Sequence, residues 1–403
     1  LEDVLSPYLA MHEAHIALAQ AALANGDKVR AILEARKALT VKPDSELGIL
    51  TLAQVTEDKK ASMQLLTTFL STYPKARDVR LTYARILIEQ KQYEHARREF
   101  QLLLDEKPDD LSSTYALGML SVQTNDFDTA EKYLTAYVNA LTKTPDEDRD
   151  PTQAFIVLAQ IAEERKNINA AITWLSQVEP GDAYLGAQIK RAQLLAKRGD
   201  MVDARALLTS IKPEGERDRA RIIITEAQLL RDANLIADAQ SVLQAGLQEF
   251  PNNTDVLYDY AMVSEKANNI ALMESTLRKI IYLAPDNPHA YNALGYSFAE
   301  RNIRLEEALT LVEKALALAP DDAFIMDSLG WVHFRLGNLK EAEETLRKAY
   351  QLRPDPEIGV HLGEVLWVKG KKEDAQQLWR DANIKDPQND TLKSTLTRLR
   401  VSL

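Results

Sequence analysis

The chain has 403 residues, of which 45% are hydrophobic and 27% are charged, with only 14 glycines and 15 prolines. This composition excludes low-complexity and disordered chains and favours a folded, helix-rich protein. Its 60 acidic and 49 basic residues give a net charge of −11, which disfavours nucleic acid as a partner because no basic patch offsets it. The absence of cysteine excludes disulfides and thiol chemistry, and no apolar stretch approaches the roughly 18 residues that span a bilayer.

A short pattern with a period of 34 residues runs along the chain. A polar turn is followed by an alanine, and a proline comes about a dozen residues later. The alanines are at positions 31, 61, 96, 130, 171, 204, 239, 308, 342 and 375, with Met273 in the alanine position of one unit. The prolines repeat independently at intervals of 33 to 35 residues, at Pro251, Pro285, Pro320, Pro354 and Pro387. Because units of this length fit a pair of helices, the pattern predicts about eleven stacked helix pairs.

The repeats predict one domain over residues 1–403, divided into four parts. Residues 1–151 contain the N-terminal repeats and end in an acidic inserted loop, and residues 152–250 contain irregular repeats. Residues 251–387 contain near-consensus repeats. The last part, residues 388–403, is expected to form a capping helix, because the final repeat of a stack needs a polar outer face.

Departures from the period predict local irregularities. The second unit, residues 44–74, is short in its first helix, and the fifth and sixth units end early at Pro180 and Pro213. Insertions predict mobile or partner-facing loops at residues 142–151, which include the acidic run from Asp146 to Asp150, and at residues 212–219.

Small and turn-forming residues occupy the positions that helix pairing requires. Glycines 118, 295, 330 and 363 are predicted to let the first helix of a pair approach the second closely, and the repeated alanines to do the same from the second helix. The prolines end second helices, because proline lacks an amide proton and restricts the preceding residue. Asp and Asn beside them, as in Pro285-Asp-Asn-Pro288, are suited to cap the next helix.

The clearest units resemble the tetratricopeptide repeat. One has the pattern Tyr291, Leu294-Gly295, Phe298, Ala308 and Pro320, and the next has Leu329-Gly330, Ala342, Leu346, Ala349 and Pro354. The last has Leu362-Gly363, Ala375, Ala382 and Pro387. The resemblance implies an all-α fold, a right-handed tetratricopeptide-repeat superhelix, or α-solenoid, of about eleven helix-turn-helix repeats plus a C-terminal capping helix.

In tetratricopeptide repeats the first helices line a concave groove, and the resemblance supplies the register of the groove positions. At these positions the sequence has Tyr258, Met262, His289, Asn292, Tyr296, Phe324, Asp327, Trp331, Phe334, Arg335, Val360, Glu364 and Trp367. Aromatic and arginine side chains of this kind anchor partner proteins. We therefore expect partner binding in this region, so that replacing Trp331 and Tyr296 by alanine abolishes it without unfolding the protein. The alternative is that some of these side chains pack against a neighbouring repeat or the terminal helix.

No pattern in the sequence indicates catalysis, a cofactor or a metal. His12 and His15 are three residues apart, whereas the zinc-protease helix needs two histidines four apart around a glutamate. Glycine-rich phosphate loops and nucleophile elbows are absent from the sequence. A carboxylate clamp of the kind that holds a free acidic tail is also unlike this chain, because only Asn292 matches such a clamp. The sequence thus predicts a non-enzymatic protein with other proteins as partners.

Three stretches, residues 291–301, 326–332 and 355–367, resemble a narrower group. This group is the proteobacterial outer-membrane tetratricopeptide lipoproteins that act as adaptors of a periplasmic carboxyl-terminal processing protease. The resemblance implies a scaffold that binds and activates such a protease and delivers substrates such as peptidoglycan hydrolases. It implies a location at the periplasmic face of the outer membrane of a Gram-negative bacterium. Attachment would need an N-terminal lipid anchor on a cysteine, which the 403 residues do not contain.

Two alternatives remain open from the sequence. The first is a scaffold of an envelope secretion or polysaccharide-export machine, and the second is a cytoplasmic regulatory protein. Co-purification distinguishes the adaptor from the export scaffold, because the adaptor is expected with a protease and muralytic enzymes.

Overall fold

The computed structural model describes residues 2–146 and 148–403 of the chain, so Glu147 of the predicted acidic loop lies outside the described residues. Within these ranges every regular element is an α-helix, and there are 23 of them. In chain order α1 to α22 alternate as the first and second helices expected of eleven repeats, and α23 follows the last of them. The predicted all-α architecture and its terminal helix are confirmed.

The helices divide between two compact units, residues 1–199 and residues 200–403. The first unit contains α1 (Glu2–Ala24), α2 (Lys28–Val41), α3 (Glu46–Val55), α4 (Lys59–Thr72), α5 (Arg77–Glu89), α6 (Tyr93–Glu106), α7 (Leu111–Gln123), α8 (Phe127–Lys143), α9 (Thr152–Glu164), α10 (Ile168–Leu175) and α11 (Tyr184–Arg198). The second unit contains α12 (Met201–Ser210), α13 (Glu216–Asp232), α14 (Ile236–Glu249), α15 (Thr254–Lys266), α16 (Ile270–Leu283), α17 (Pro288–Glu300), α18 (Leu305–Leu318), α19 (Ala323–Leu336), α20 (Leu339–Leu352), α21 (Pro356–Val368), α22 (Lys372–Lys385) and α23 (Asp390–Leu399).

Within each unit the helices pack in chain order, and first helices also contact first helices of the next repeat. In the first unit α1 contacts α3 and α3 contacts α5, and in the second α17 contacts α19, α19 contacts α21, and α21 contacts α23. Second helices lie between their own first helix and the first helix of the following repeat. The first helices therefore form one layer of each unit and the second helices form another.

The repeated small residue fixes how each pair packs, with one correction to the sequence register. Ten of the predicted positions, Met273 included, are fully buried, and each follows the N-cap of its second helix by four residues. Ala61 is the exception, because it follows the N-cap Asp58 by only three residues and is partly exposed. Ser62 takes the buried position instead, and its hydroxyl donates a 3.0 Å hydrogen bond to the carbonyl of Ala53. A hydroxyl can replace the alanine methyl here because the Ala53 carbonyl, which also accepts the backbone amide of Thr56 at 3.3 Å, has a second lone pair to accept it.

Close approach and capping follow the predicted pattern. A Cβ placed on Gly295 would lie 2.6 Å from a methyl carbon of Val312, so only glycine fits between α17 and α18. The side chain of Asn287 accepts hydrogen bonds from the backbone amides of His289 and Ala290 at the start of α17. These bonds satisfy amides that have no partner within the helix.

The irregular repeats contain shortened helices. Helix α3 has 10 residues, α10 has 8 and α12 has 10, as expected for the second, fifth and sixth units. The two inserted loops are shorter than predicted. Helix α8 continues to Lys143, and α13 already begins at Glu216, so the ends of the predicted loops at residues 142–151 and 212–219 are helical. Additional apolar packing explains the first case, because Leu141 joins Tyr137 and Val138 in a buried cluster with α9.

One buried carboxylate links α20 to the turn after α21. Lys369 and Lys371 place their ammonium groups 2.6 and 2.7 Å from the carboxylate oxygens of Glu343, and Arg347 donates to the same group at 2.9 Å. Burial opposes ionisation of this carboxyl, but the hydrogen bonds from Lys369, Lys371 and Arg347 outweigh it and lower the pKa of Glu343 to about 2.

Candidate protein-binding face

The predicted binding residues lie on four first helices of the second unit, α15, α17, α19 and α21. We call the surface of these helices the first-helix face. Helix α15 is joined to α17 by Glu265, whose carboxylate accepts hydrogen bonds from Ser297 at 2.6 Å and from Arg301 at 2.8 Å. Helix α19 packs directly on both α17 and α21. The face is therefore a continuous layer rather than four separate helices.

A buried polar network lies under this face. The Nδ1 atom of His361 on α21 is 2.9 Å from a carboxylate oxygen of Asp327 on α19, and its Nε2 atom is 3.5 Å from the hydroxyl of Tyr296 on α17. Three successive repeats thus meet at one imidazole. Burial disfavours the charged imidazole, but the carboxylate of Asp327 outweighs it, so the pKa of His361 is raised above its ordinary value. Burial is also the main reason why the pKa of the Tyr296 hydroxyl is raised.

Aromatic stacking completes the network. The ring of Trp331 stacks on the imidazole of His361, with 4.3 Å between the ring centroids and 22° between the planes. On the same helix, the ring centroid of Phe334 lies 5.1 Å from that of Trp331. The guanidinium of Arg335 lies 5.8 Å from the Trp331 ring, close enough for a cation–π contact. Trp331 itself is only 3% exposed and belongs to the core shared by α15 to α19.

The structure corrects the expectation that all predicted groove residues face a partner. Asp327, Trp331 and Glu364 are 5%, 3% and 1% exposed, and Val360 is fully buried. Asp327 is enclosed because it pairs with the buried His361, and Trp331 because it covers that pair. These side chains therefore pack against neighbouring repeats, which is the alternative that the sequence left open.

Glu364 is buried by the terminal helix. Arg398 of α23 donates to its carboxylate at 2.6 Å, and the hydroxyl of Thr395 on the same helix lies 3.4 Å from the same oxygen. Helix α23 thus covers the end of α21 and supplies a cation for a carboxylate that would otherwise be buried alone. Glu364 therefore packs against the terminal helix, as the same alternative expected.

The other predicted residues retain exposed surface. His289 and Phe324 are exposed, the latter by 42%, and the Arg353 guanidinium lies 4.7 Å from the Phe324 ring. Partly exposed side chains from the prediction are Tyr258, Met262, Asn292, Tyr296, Phe334, Arg335 and Trp367. Tyr258, Met262, Tyr296 and Phe334 rest against the buried core of α15 to α19. The face therefore presents aromatic and apolar surface on a packed support.

Sequence reasoning missed His361 as a member of this site. The register from the family resemblance selected Val360 and Glu364 on α21 and passed over His361, which directly follows Val360. A signal was present, because His361 follows Asp327 by 34 residues, the repeat period, so the two side chains occupy nearly equivalent places on adjacent first helices. A histidine and an aspartate one period apart can pair across neighbouring repeats.

Two further features are absent from residues 2–146 and 148–403, which the structure describes. No group of three or more His, Asp or Glu side chains in these ranges is placed to hold a metal ion. No described helix combines the length and apolar character that crossing a membrane requires.

Comparison with known proteins identifies the repeats. Family models described as the tetratricopeptide repeat match residues 58–118, 288–355 and 328–390. These regions of the chain are tetratricopeptide repeats, and they include α17, α19 and α21 of the first-helix face. Such repeats bind other proteins, so they indicate a protein-binding scaffold.

Individual proteins are similar to parts of the chain. A TPR repeat-containing protein of Pseudomonas aeruginosa is 39% identical over 207 residues, which cover 51% of this chain and 35% of that protein. The chain thus matches about one third of that relative's length. A tetratricopeptide repeat protein from Parabacteroides merdae has a TM-score of 0.48 at 16% identity, covering 61% of this chain and 97% of the other. A thermophilic TPR protein of Thermus thermophilus has a TM-score of 0.41 at 22% identity, covering 46% and 100%.

Proposed function

We propose that the chain is a scaffold whose partner protein binds the first-helix face. The observation that carries this proposal is the aromatic surface of these helices, where the ring of Phe324 is exposed on α19 and the partly exposed Tyr258, Tyr296 and Phe334 rest on a packed core. Aromatic residues on a fixed support are common binding anchors, because they bury a large area and lose little conformational freedom.

The buried network strengthens this proposal through rigidity. Tyr296, Asp327 and His361 join α17, α19 and α21 by side-chain contacts between successive repeats. A face held in this way does not have to be ordered when a partner arrives, so less of the binding free energy is spent on ordering.

We further propose that the partner is a periplasmic carboxyl-terminal processing protease, which the chain activates and supplies with peptidoglycan hydrolases. Support comes from the three stretches that resemble such adaptors, because residues 291–301, 326–332 and 355–367 lie almost entirely in α17, α19 and α21. The resemblance is therefore concentrated on the helices of the first-helix face. In this proposal the protein acts at the periplasmic face of the outer membrane.

Binding of the purified protease to the immobilised chain, followed by biolayer interferometry, tests both proposals. Phe324→Ala should weaken binding by roughly tenfold or more, as expected for an interface anchor. Tyr282→Ala is the matched control, because Tyr282 is an aromatic residue 85% exposed on the second helix α16. We expect this control to bind like the unmodified chain.

The possible outcomes separate the two proposals. If the protease does not bind the unmodified chain, the adaptor proposal is wrong. If the protease binds but Phe324→Ala and Tyr282→Ala behave alike, the protease uses another surface. Cleavage of a peptidoglycan hydrolase by the protease, timed with and without the chain, tests delivery, and equal rates would contradict it.

A further inference from the structure

A groove lies between two second helices in the first unit. Its walls are α2 and α4, and its floor is α3. Ile49 and Leu52 of the floor are each 5% exposed, and Leu39 and Leu65 of the walls are partly exposed. The groove has a volume of about 670 Å³. We call it the α2–α4 groove.

The irregular second repeat explains why α4 presents a small side chain here. Because Ser62 occupies the buried packing position of α4, Ala61 lines the groove instead. The same face of α4 continues with Leu65, Thr68 and Thr72, which follow Ala61 by four, seven and eleven residues. This spacing is one stripe of a helix. Three of its four residues are small or β-branched, which favours the close approach of another helix.

The α4 wall of the groove is long enough for a bound helix of about three turns. From Ala61 to Thr72 the stripe spans about 17 Å at 1.5 Å per residue, or about three helical turns. The lining is apolar at the floor and has polar groups such as Gln64 and Thr68 along the rim. An occupant of matching character is an amphipathic helix that turns its apolar stripe towards α3.

The charge at the groove specifies the occupant further. Among the described residues that line the groove, Arg36 is the one with a charged side chain, and it is exposed. The nearest carboxylate along α2, Glu34, is engaged by His15 at 2.6 Å and Lys37 at 2.8 Å. Over the described part of the chain Arg36 has no ion-pair partner within 4 Å, so a carboxylate brought by the occupant would meet an available guanidinium.

We propose that the α2–α4 groove binds an amphipathic helix of about three turns from a partner protein, with an acidic residue beside its apolar stripe that pairs with Arg36. This is a second docking surface, independent of the proposed function, because it lies on other helices and recognises a different feature.

A helical peptide library tests the proposal on the full chain. The peptides have about 14 residues, apolar residues varied at four positions of one stripe, and a flanking position that carries Glu, Gln or Lys. Binders are selected on the unmodified chain, and their affinities are measured by fluorescence anisotropy. The variants are Arg36→Glu, which reverses the charge, and Thr68→Arg, which fills the groove from an exposed position. Val29→Glu is the control, because Val29 is 82% exposed on α2 and lies outside the groove lining.

The expected result has three parts. Selection on the unmodified chain enriches Glu at the flanking position, and selection on Arg36→Glu enriches Lys, with a preference of roughly two- to fivefold for an exposed ion pair. Thr68→Arg weakens binding by roughly tenfold or more, and Val29→Glu leaves it unchanged. The proposal is overturned if no helical peptide is enriched, if both selections prefer the same charge, or if Thr68→Arg and Val29→Glu bind alike.

Discussion

Replacing Trp331 by alanine is the most informative perturbation of the second unit. The side chain is 3% exposed, packs in the core of α15 to α19 and stacks on His361. Removing a buried Trp typically costs about 3–5 kcal/mol, because apolar burial is lost and a cavity remains. Here the substitution also uncovers the buried pair of His361 and Asp327, which places the expected cost in that range or above it.

Hydrogen–deuterium exchange is the appropriate assay, because repeat proteins open locally and need not unfold in one step. A loss of about 3 kcal/mol should speed exchange of the protected amides in α17, α19 and α21 by roughly a hundredfold. Amides of α5 to α7 in the first unit provide an internal reference. Trp331→Phe keeps an aromatic ring against His361 and removes an indole N–H that has no hydrogen-bond partner, so it should cost only about 1 kcal/mol.

The reasoning would be refuted if Trp331→Ala left exchange in α19 and α21 within a factor of about two of the unmodified chain. That result would mean that the ring is accessible and contributes little to packing. It would also return Trp331 to the set of partner-facing residues expected from the sequence.

Three further predictions concern charge and close packing. Glu343→Gln should lower the free energy of unfolding by about 1–3 kcal/mol at neutral pH. The pKa of Glu343 is about 2 in the folded chain against an ordinary 4.5. The difference in stability between the variant and the unmodified chain should therefore vanish as the pH falls from 4.5 towards 2. His361→Asn should lower the stability of the fold most at or below pH 6.5. The pKa of His361 is raised in the folded chain, so the stability that its charged form contributes is lost as the pH rises through that pKa. Thermal melts from pH 5 to 9 measure the difference. Gly330→Ala should destabilise the fold by about 1–2 kcal/mol, because its Cβ would lie 2.5 Å from a side-chain carbon of α20. Gly186→Ala is the control, because Gly186 has open space around it. This control should be neutral or should stabilise the fold by up to about 1 kcal/mol.

Each of these predictions has an outcome that contradicts it. A constant difference between Glu343→Gln and the unmodified chain down to pH 2 would mean that the ion pairs do not stabilise the fold. A destabilisation by His361→Asn that grows above pH 7 would reverse the sign argued from its partner Asp327. Equal effects of the two glycine substitutions would show that contact with α20 does not restrict residue 330.

The sequence predicted the helix pairs well because their signals are local and periodic. A buried residue four positions after the N-cap of each second helix, alanine in all but two of them, specifies the packing position. A proline after each second helix specifies where that helix ends. The exception at Ala61 arose because serine can fill a small-residue position when a nearby carbonyl accepts its hydroxyl, as the Ala53 carbonyl does for Ser62. A pattern of alanines cannot reveal that substitution.

The burial of the candidate binding residues could not be predicted in the same way. Repeat position determines the side of the helix from which a side chain projects, but the neighbouring repeat determines whether it is covered. Trp331 is covered because the next first helix has His361 opposite it, and Glu364 because α23 brings Arg398 to its carboxylate. Phe324, in a groove position of the same helix as Trp331, remains exposed.

The most direct test of the central claim is the affinity of the purified processing protease for the chain, compared between Phe324→Ala and Tyr282→Ala. Both substitutions remove an exposed aromatic ring from a helix of the second unit, and they differ in whether that ring belongs to the first-helix face. We predict that Phe324→Ala weakens binding by roughly tenfold or more while Tyr282→Ala has no effect. Equal affinities for the two variants would contradict binding at this face, and no binding by the unmodified chain would contradict the adaptor function.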